Sequence, residues 1–321
     1  MRYKQNTFAD PCRFIDYIMK LKQLIYLPIW AFRSMILDRR QPLQTVLFLT
    51  DYCNLRCKHC FEQGHACTMQ KSFDQIRQEL AYAYALGSRF LDLEGGEPTL
   101  WKEDGKDIND VIRLAKQIGF FTVTVTTNAQ LPFDWVRADL IWVSLDGYGS
   151  YHDEIRGQGA FEKLDRNAAQ FYQNNKNTRL GANIAVNRLN YPSVEDTIRY
   201  VKENSAFESI AVNFHTPYPG TEELCLTPEQ RDKVIDRVIE MKKQGYPIQN
   251  SVSGLSIMKR KGFRKYCWIS NFILTDGTRL AECPGKTLGI CDDCGFSMAG
   301  EMYSVMHLKP DTFLSALKLR M

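Results

Sequence analysis

Three cysteines fall within eight residues, Cys53-Asn54-Leu55-Arg56-Cys57-Lys58-His59-Cys60, with three and then two residues between them. The run follows an apolar, β-branched segment, Thr45-Val46-Leu47-Phe48-Leu49-Thr50. A thiol-rich loop just past a strand reads as one face of an iron–sulfur cluster. Three ligands leave the fourth iron of a cubane without a protein ligand, and an open metal position distinguishes a catalytic site from a structural one. The competing reading is a zinc knuckle, for which Cys67, His59 and His65 are near enough to supply a fourth ligand.

The rest of the chain decides between them. Its 321 residues suit one large domain with an appendage. The balance of 41 basic and 37 acidic residues, net +4, is too mild to make nucleic acid the expected partner. Ten cysteines without a recognisable signal peptide argue for metal or thiol chemistry in a reducing, cytoplasmic setting rather than a disulfide scaffold. Residues 12–40 mix apolar and aromatic side chains with Lys20, Lys22, Arg33, Arg39 and Arg40. The apolar run falls short of the roughly 20 residues that span a bilayer. It reads either as a helix packed on the main domain or as a basic, aromatic helix lying on the inner face of a membrane.

From residue 45 the pattern is strand then helix, repeated. Strands are expected at 45–50, 89–93, 120–126, 140–145, 180–186 and 209–214, with helices at 72–86, 106–118, 161–175, 193–203 and 228–243. Thr227 and Pro228 supply the N-cap and first-turn chemistry of the last helix. Six βα units predict an α/β fold, a partial (β/α)6 TIM-like barrel whose ligands gather at the carboxyl ends of its strands. The expected division is an N-terminal helical segment, 1–44, a barrel, 45–245, and a small cysteine-rich cluster domain, 246–321. Polar residues recur at the strand ends: Glu94-Gly95-Gly96-Glu97, Asn128, Ser144 and Asp146, Asn183, and His215. Together with the cysteine loop they describe one pocket.

The last segment carries Cys267, Cys283, Cys291 and Cys294. A hairpin through Asp276-Gly277 brings the first two together, and the C-x-x-C pair completes a set suited to zinc or a fully ligated cluster. Cys225, after the sixth strand, is a candidate hydrogen-atom donor against the simpler reading of an inert loop thiol. Cys67 and Cys12 are expected to be incidental, and His152 and His215 to be hydrogen-bonded or solvated rather than acid–base groups.

These motifs resemble the radical S-adenosylmethionine (SAM) enzymes. The resemblance rests on the C-x-x-x-C-x-x-C loop, on Gly95-Gly96-Glu97-Pro98, on Ser144-Leu145-Asp146-Gly147 and on His152-Asp153-Glu154-Ile155-Arg156-Gly157, over roughly residues 45–215. The end of the chain is similar to the hopanoid adenosyltransferase group and to the auxiliary-cluster domain of peptide-modifying members. The resemblance implies that Cys53, Cys57 and Cys60 hold a [4Fe–4S] cluster whose open iron chelates SAM. It implies that Gly95, Gly96 and Glu97 sit against the SAM amino group, with Ser144 and Asn183 on ribose and carboxylate. Arg156 would pair with the carboxylate, Phe61 would pack near adenine, and Asn128 and Asp146 are weaker contacts. A second iron–sulfur cluster is implied at the C-terminal cysteines, and an electron donor such as flavodoxin or ferredoxin. The implied chemistry is reductive cleavage of SAM to a 5′-deoxyadenosyl radical that modifies a small-molecule, lipid or isoprenoid carbon. Peptide maturation and a non-enzymatic zinc-binding interaction protein are the alternatives.

Overall fold

The computed structural model describes residues 11–60 and 69–320, with side chains excepted at 11–21 and 317–320. Phe61, His65 and Cys67 lie outside the described residues, as does the Cys12 side chain. In chain order the elements are α1 (Pro11–Met35), β1 (Gln44–Phe48), α2 (Phe73–Leu86), β2 (Phe90–Glu94), α3 (Ile108–Ile118), β3 (Thr122–Thr127), β4 (Leu140–Ser144), α4 (Ser150–Arg156), α5 (Ala160–Asn174), β5 (Arg179–Val186), α6 (Val194–Glu203), β6 (Ser209–Phe214) and α7 (Pro228–Lys243). The remainder is α8 (Val252–Ile257), β7 (Ser270–Ile273), β8 (Arg279–Leu280), α9 (Pro284–Thr287), α10 (Ser297–Met306) and α11 (Pro310–Arg320).

Local chemistry accounts for the helix ends. Ser72 caps α2 by accepting from Gln75 N, and Gly87 closes it in the left-handed conformation. Asp107 and Thr227 form reciprocal capping boxes with Asp110 and Gln230 at the starts of α3 and α7.

Among the described residues, eight strands form one sheet in the order β6-β5-β4-β3-β2-β1-β7-β8. β1 to β6 pair in parallel, each with the next. This is the partial (β/α)6 barrel that the strand–helix alternation predicts. The sheet goes two strands further than expected: β7 pairs in parallel with β1, Gln44 opposite Ser270, and β8 returns antiparallel through the Asp276-Gly277 turn. The segment beyond residue 245 is therefore stitched into the barrel's own sheet.

Period-two alternation sorts the barrel into two faces. Leu47, Leu91, Leu93, Val123, Val125, Ile141, Val143, Ala182, Ile184, Ile210 and Val212 enter the main apolar core under the helices. The alternate positions, Asp92 and Glu94, Thr124 and Thr126, Ser144, Asn183 and Asn213, line the inner face, and several pair across neighbouring strands. The same face also carries Val46, Phe48 and Trp142, which stay out of that core, so the barrel has an apolar jacket and a lumen of mixed character.

Helix α1 closes the opposite end. Tyr26 donates its hydroxyl to Gly87 O at 2.6 Å, and Trp30 Nε1 donates to Gln41 O at 2.8 Å, both just ahead of strands β2 and β1. Trp30 shares a buried aromatic cluster with Tyr266 and Ile269. Among the described residues, no helix is long and apolar enough to cross a membrane.

Candidate functional site

The cysteine loop leaves β1 at the barrel mouth and is held there by backbone-to-backbone contact. Gly96 N donates to Thr50 O and Glu97 N to Tyr52 O, both at 2.7 Å. A Cβ on Gly95 would stand 2.4 Å from Thr50 O, and one on Gly96 would stand 2.3 Å from Tyr52 O. Gly95 also has a φ of +143°, open to glycine alone. The close approach that the glycine pair predicts is therefore made to the lead-in of the cysteine loop.

Glu97 is 2% exposed and accepts four hydrogen bonds: from Thr99 N at 3.2 Å, Thr99 Oγ1 at 2.6 Å, Thr127 Oγ1 at 2.8 Å and Asn128 N at 2.7 Å. Burial pushes its carboxyl up despite those donors. Its work in this structure is to fix the β3 exit loop, and with it Asn128. The Asn128 amide Nδ2 donates to Asn54 Oδ1 at 2.7 Å and approaches Cys53 Sγ at 3.7 Å.

Asp146 is the second anchor. It is 1% exposed; Oδ2 accepts from Arg156 Nε at 2.6 Å, and Oδ1 accepts from Ala185 N at 3.0 Å. Burial alone would raise its carboxyl, but Arg156, His59 and the Ala185 N–H together bring it down to about 2. Arg156 also sets Nη1 3.7 Å from Cys57 Sγ, so two of its N–H directions are taken within the protein. Lys58 N donates to Ile155 O at 3.0 Å, and Lys58 pairs with Glu154, fastening α4 to the loop. His152 is wholly buried and accepts from Asp146 N at 3.1 Å. His59 Nε2 lies 3.6 Å from Asp146 Oδ2 and meets His215 edge to face. Burial lowers both His59 and His152 to about 4, keeping them neutral at ordinary pH. The two strand-end histidines are hydrogen-bonded, His215 to Thr221, and buried rather than solvated.

Ser144 and Asn183 lie side by side in the β4–β5 register. Asn183 accepts from Asn213 Nδ2 at 2.7 Å, and Asn213 Oδ1 accepts from Ser297 N and Oγ at 2.9 and 2.8 Å. This chain ties the lumen wall to the start of α10.

The C-terminal cysteines sit over the same mouth. Cys267 and Cys283 stand close enough to act on one another, which raises the Cys267 thiol and lowers that of Cys283. Cys291 and Cys294 are close enough to act on Cys267 electrostatically. The C-x-x-C turn docks on β6: Phe214 N donates to Gly295 O at 2.8 Å, and Gly295 N to Thr216 Oγ1 at 3.0 Å. Arg231 braces it, donating Nη2 to Cys294 O at 3.0 Å while its guanidinium lies over Phe214. Cys225 is half-buried, near Arg231 and Asp293, and so stands by the C-terminal turn rather than apart in a loop.

Among the described residues, no three His, Cys, Asp or Glu side chains converge closely enough for a single metal ion. The cysteines of a cluster each hold a different iron and need no such convergence. Three soft thiols with N–H groups aimed at two of them form a donor set that fits a cluster. Burial holds Cys53 and Cys57 above the usual thiol range, so deprotonation would accompany metal binding. The lumen pairs Asp92–Thr124 and Glu94–Thr126, the half-buried Tyr218 and the brace Arg231 carry no motif. Only the polar parity of Phe90-Leu91-Asp92-Leu93-Glu94, two carboxylates on one strand face, signals any of them in advance.

Comparison with known proteins agrees with this construction. The chain is 30% identical over 181 residues to GTP 3′,8-cyclase of Haemophilus influenzae, covering 51% of each. It is 24% identical over 222 residues to Fe-coproporphyrin III synthase of Methanosarcina barkeri, covering 63% of this chain and 53% of the other. The chain therefore spans about half the length of the curated relatives it matches. The crystal structure of Streptococcus suis SuiB bound to its precursor peptide SuiA shares the fold, with a TM-score of 0.61 at 15% identity over 97% of this chain and 74% of that one. SuiB bound to S-adenosylmethionine aligns with a TM-score of 0.62 at 16% identity, over 92% of this chain and 76% of that one. Residues 47–201, from β1 through the cysteine loop into α6, match the model of the radical SAM superfamily, and the relatives support that superfamily for this chain.

Proposed function

We propose that this chain is a radical SAM enzyme whose Cys53, Cys57 and Cys60 hold a [4Fe–4S] cluster. The observation that carries the reading is the cysteine loop at the carboxyl end of β1, with Asn128 and Arg156 each presenting an N–H 3.7 Å from a loop thiol. With SAM bound and an external one-electron donor, such a cluster would supply reductive cleavage of the sulfonium C–S bond. The protein's part is to bind, orient and exclude water. Gly95 and Gly96 hold the loop, and Ser144 and Asn183 offer polar contacts to SAM. Cys267, Cys283, Cys291 and Cys294 hold a second metal centre that caps the mouth. Cys225, beside that centre, is better suited to bracing it than to hydrogen donation. A flavodoxin or ferredoxin is the expected class of electron donor.

The lumen bears on the substrate. Its wall sets Asp92, Glu94, Thr124, Thr126, Asn183 and Asn213 beside the apolar Val46, Phe48 and Trp142, which supports a substrate with a polar reacting group, on a small molecule or a peptide. Anaerobic reconstitution tests the whole reading. About four irons on the Cys53 loop, and deoxyadenosine formed from SAM with a chemical reductant, are expected. Protein with intact thiols that takes up zinc but no iron and sulfide overturns it.

Helix α1 supports peripheral binding to an anionic membrane. Ile25, Ile29, Phe32 and Ile36 follow a helical stripe and are 57, 45, 56 and 69% exposed. Lys22, Arg33, Arg39 and Arg40 flank the stripe and are exposed, which suits phosphate headgroups. Co-flotation with phosphatidylglycerol vesicles, lost in Ile29→Asp/Phe32→Asp, is expected. A wild-type dimer that the same change dissolves, without vesicle binding, assigns the stripe to a second copy instead.

A further inference from the structure

Two of the three loop thiols are addressed by N–H groups that the fold holds from different sides. Asn128 Nδ2 lies 3.7 Å from Cys53 Sγ, and Arg156 Nη1 lies 3.7 Å from Cys57 Sγ. Neither donor is free to swing. Asn128 is pinned by its own N–H on Glu97 Oε2 at 2.7 Å, by Gln130 N on its Oδ1 at 3.0 Å, and by Asn54 Oδ1 at 2.7 Å. Arg156 is pinned by Asp146 at 2.6 Å, and its helix by the Lys58–Ile155 backbone bond at 3.0 Å. The two anchoring carboxylates are 2% and 1% exposed.

We infer that Asn128 and Arg156 are positioning residues that set the electron affinity of the cluster held by Cys53, Cys57 and Cys60. Glu97 and Asp146 act through them. The inference rests on the cluster reading above. An added electron increases negative charge on the cluster and its sulfurs. N–H donors to sulfur and nearby positive charge stabilise that state and raise the potential. The two donors are unequal. Asn128 offers a neutral amide dipole, while Arg156 brings a full charge in a dry setting where charges are weakly screened. Asp146 sits on the far side of that guanidinium and partly cancels it. Removing the arginine and removing the aspartate should therefore move the potential in opposite directions, which a merely structural role does not predict.

The test is a redox titration of anaerobically reconstituted full-length protein, followed by electron paramagnetic resonance. The signal whose line shape changes on adding SAM marks this cluster. Arg156→Gln is expected to disfavour reduction by about tenfold, a drop of about 59 mV for a one-electron couple. Asn128→Leu should shift the same way by less. Asp146→Asn should shift the opposite way, and Arg156→Lys should fall between wild type and Arg156→Gln. Unshifted potentials in Arg156→Gln and Asn128→Leu at full iron content overturn the inference. Loss of iron in Arg156→Gln that lysine does not restore, with Asn128→Leu unshifted, also overturns it. Wild-type protein that takes up no iron refutes the cluster reading itself, a separate outcome read before any variant is compared.

Discussion

Placing one methyl group at Gly295 should detach the C-terminal cysteine turn from the barrel while leaving the barrel folded. Gly295 does not need glycine for its own conformation, since it is absent from the positive-φ positions. What it needs is room. A Cβ there would stand 1.9 Å from Phe214 O, 2.4 Å from Phe214 C and 2.6 Å from His215 O, all rigid backbone at the end of β6. Carbon-to-oxygen contacts normally begin near ~3.3 Å, so the two backbones must part by more than about 1 Å. That separation breaks the Phe214–Gly295 and Gly295–Thr216 hydrogen bonds, now 2.8 and 3.0 Å. Leaving such buried groups unpaired costs about 1–3 kcal/mol each, so the docked turn loses roughly 2–6 kcal/mol. That is enough to open the turn locally. Hydrogen exchange by mass spectrometry should show faster exchange at 214–216 and 291–297 with β1–β5 unchanged, and metal analysis should show the second centre lost. A matched Gly289→Ala change, at a φ of +71° with open space around it, should cost only the ~1 kcal/mol of left-handed strain and keep the metal. Wild-type exchange and full metal in Gly295→Ala would refute the steric argument.

Gly96→Ala forces the same choice on the other side of the mouth. It should cost about 2–5 kcal/mol in urea denaturation, through the two 2.7 Å bonds it breaks, and abolish iron uptake by the Cys53 loop. Glu301 accepts Ser251 N and Oγ at 2.8 and 2.7 Å, and burial pushes its carboxyl from 4.5 up to about 7. The folded chain then holds this proton more tightly than the unfolded one, so its contribution falls as pH rises from about 4.5 to about 7. Glu301→Gln should stabilise by up to about 3 kcal/mol at pH 8 and hardly at pH 4.5, measured by denaturant midpoints. Asp146 has the opposite sign. Its carboxyl is held from 3.8 down to about 2, so its contribution of about 2 kcal/mol is present above pH 4 and lost toward pH 2, a slope that Asp146→Asn should remove.

What the sequence exposed was local. The six strands lie within a few residues of the segments marked by apolar and β-branched runs, because period-two burial is written into each strand separately. The α7 cap follows from Thr227, Pro228 and Gln230 alone. Helix α4 was not legible: it begins at Gly149 without a side-chain cap and carries a polar, seven-residue stretch. The parallel pairing of β7 with β1 was hidden for another reason, since 226 positions separate Gln44 from Ser270 and a hairpin signal says nothing about its neighbour. The same division runs through the site. Glu97, Asn128, Asp146 and Arg156 stand out as polar residues near strand ends, yet who grips whom depends on loops arriving from different strands. A carboxylate wholly occupied by Thr99, Thr127 and Asn128 looks, in sequence, like one waiting for a ligand.

The position of α1 constrains the substrate independently of the lumen. The helix is fastened ahead of β1 and β2, through Gly87 and Gln41, while the cysteine loop leaves the other end of β1. Strands of five to six residues separate those ends by about 17–20 Å. A membrane engaged by Ile25, Ile29, Phe32 and Ile36 would thus face the closed end of the barrel, with the mouth turned away from it. A chain embedded in the bilayer would have to cross that distance to reach the mouth. A water-soluble substrate does not meet that obstacle. Vesicle binding should therefore leave SAM cleavage unaltered, whereas Thr126→Val or Asn213→Leu on the lumen wall should weaken its stimulation by substrate. Stimulation of deoxyadenosine formation by an organic-soluble extract, abolished by Ile29→Asp/Phe32→Asp, would reverse this ordering and return the lipid to first place.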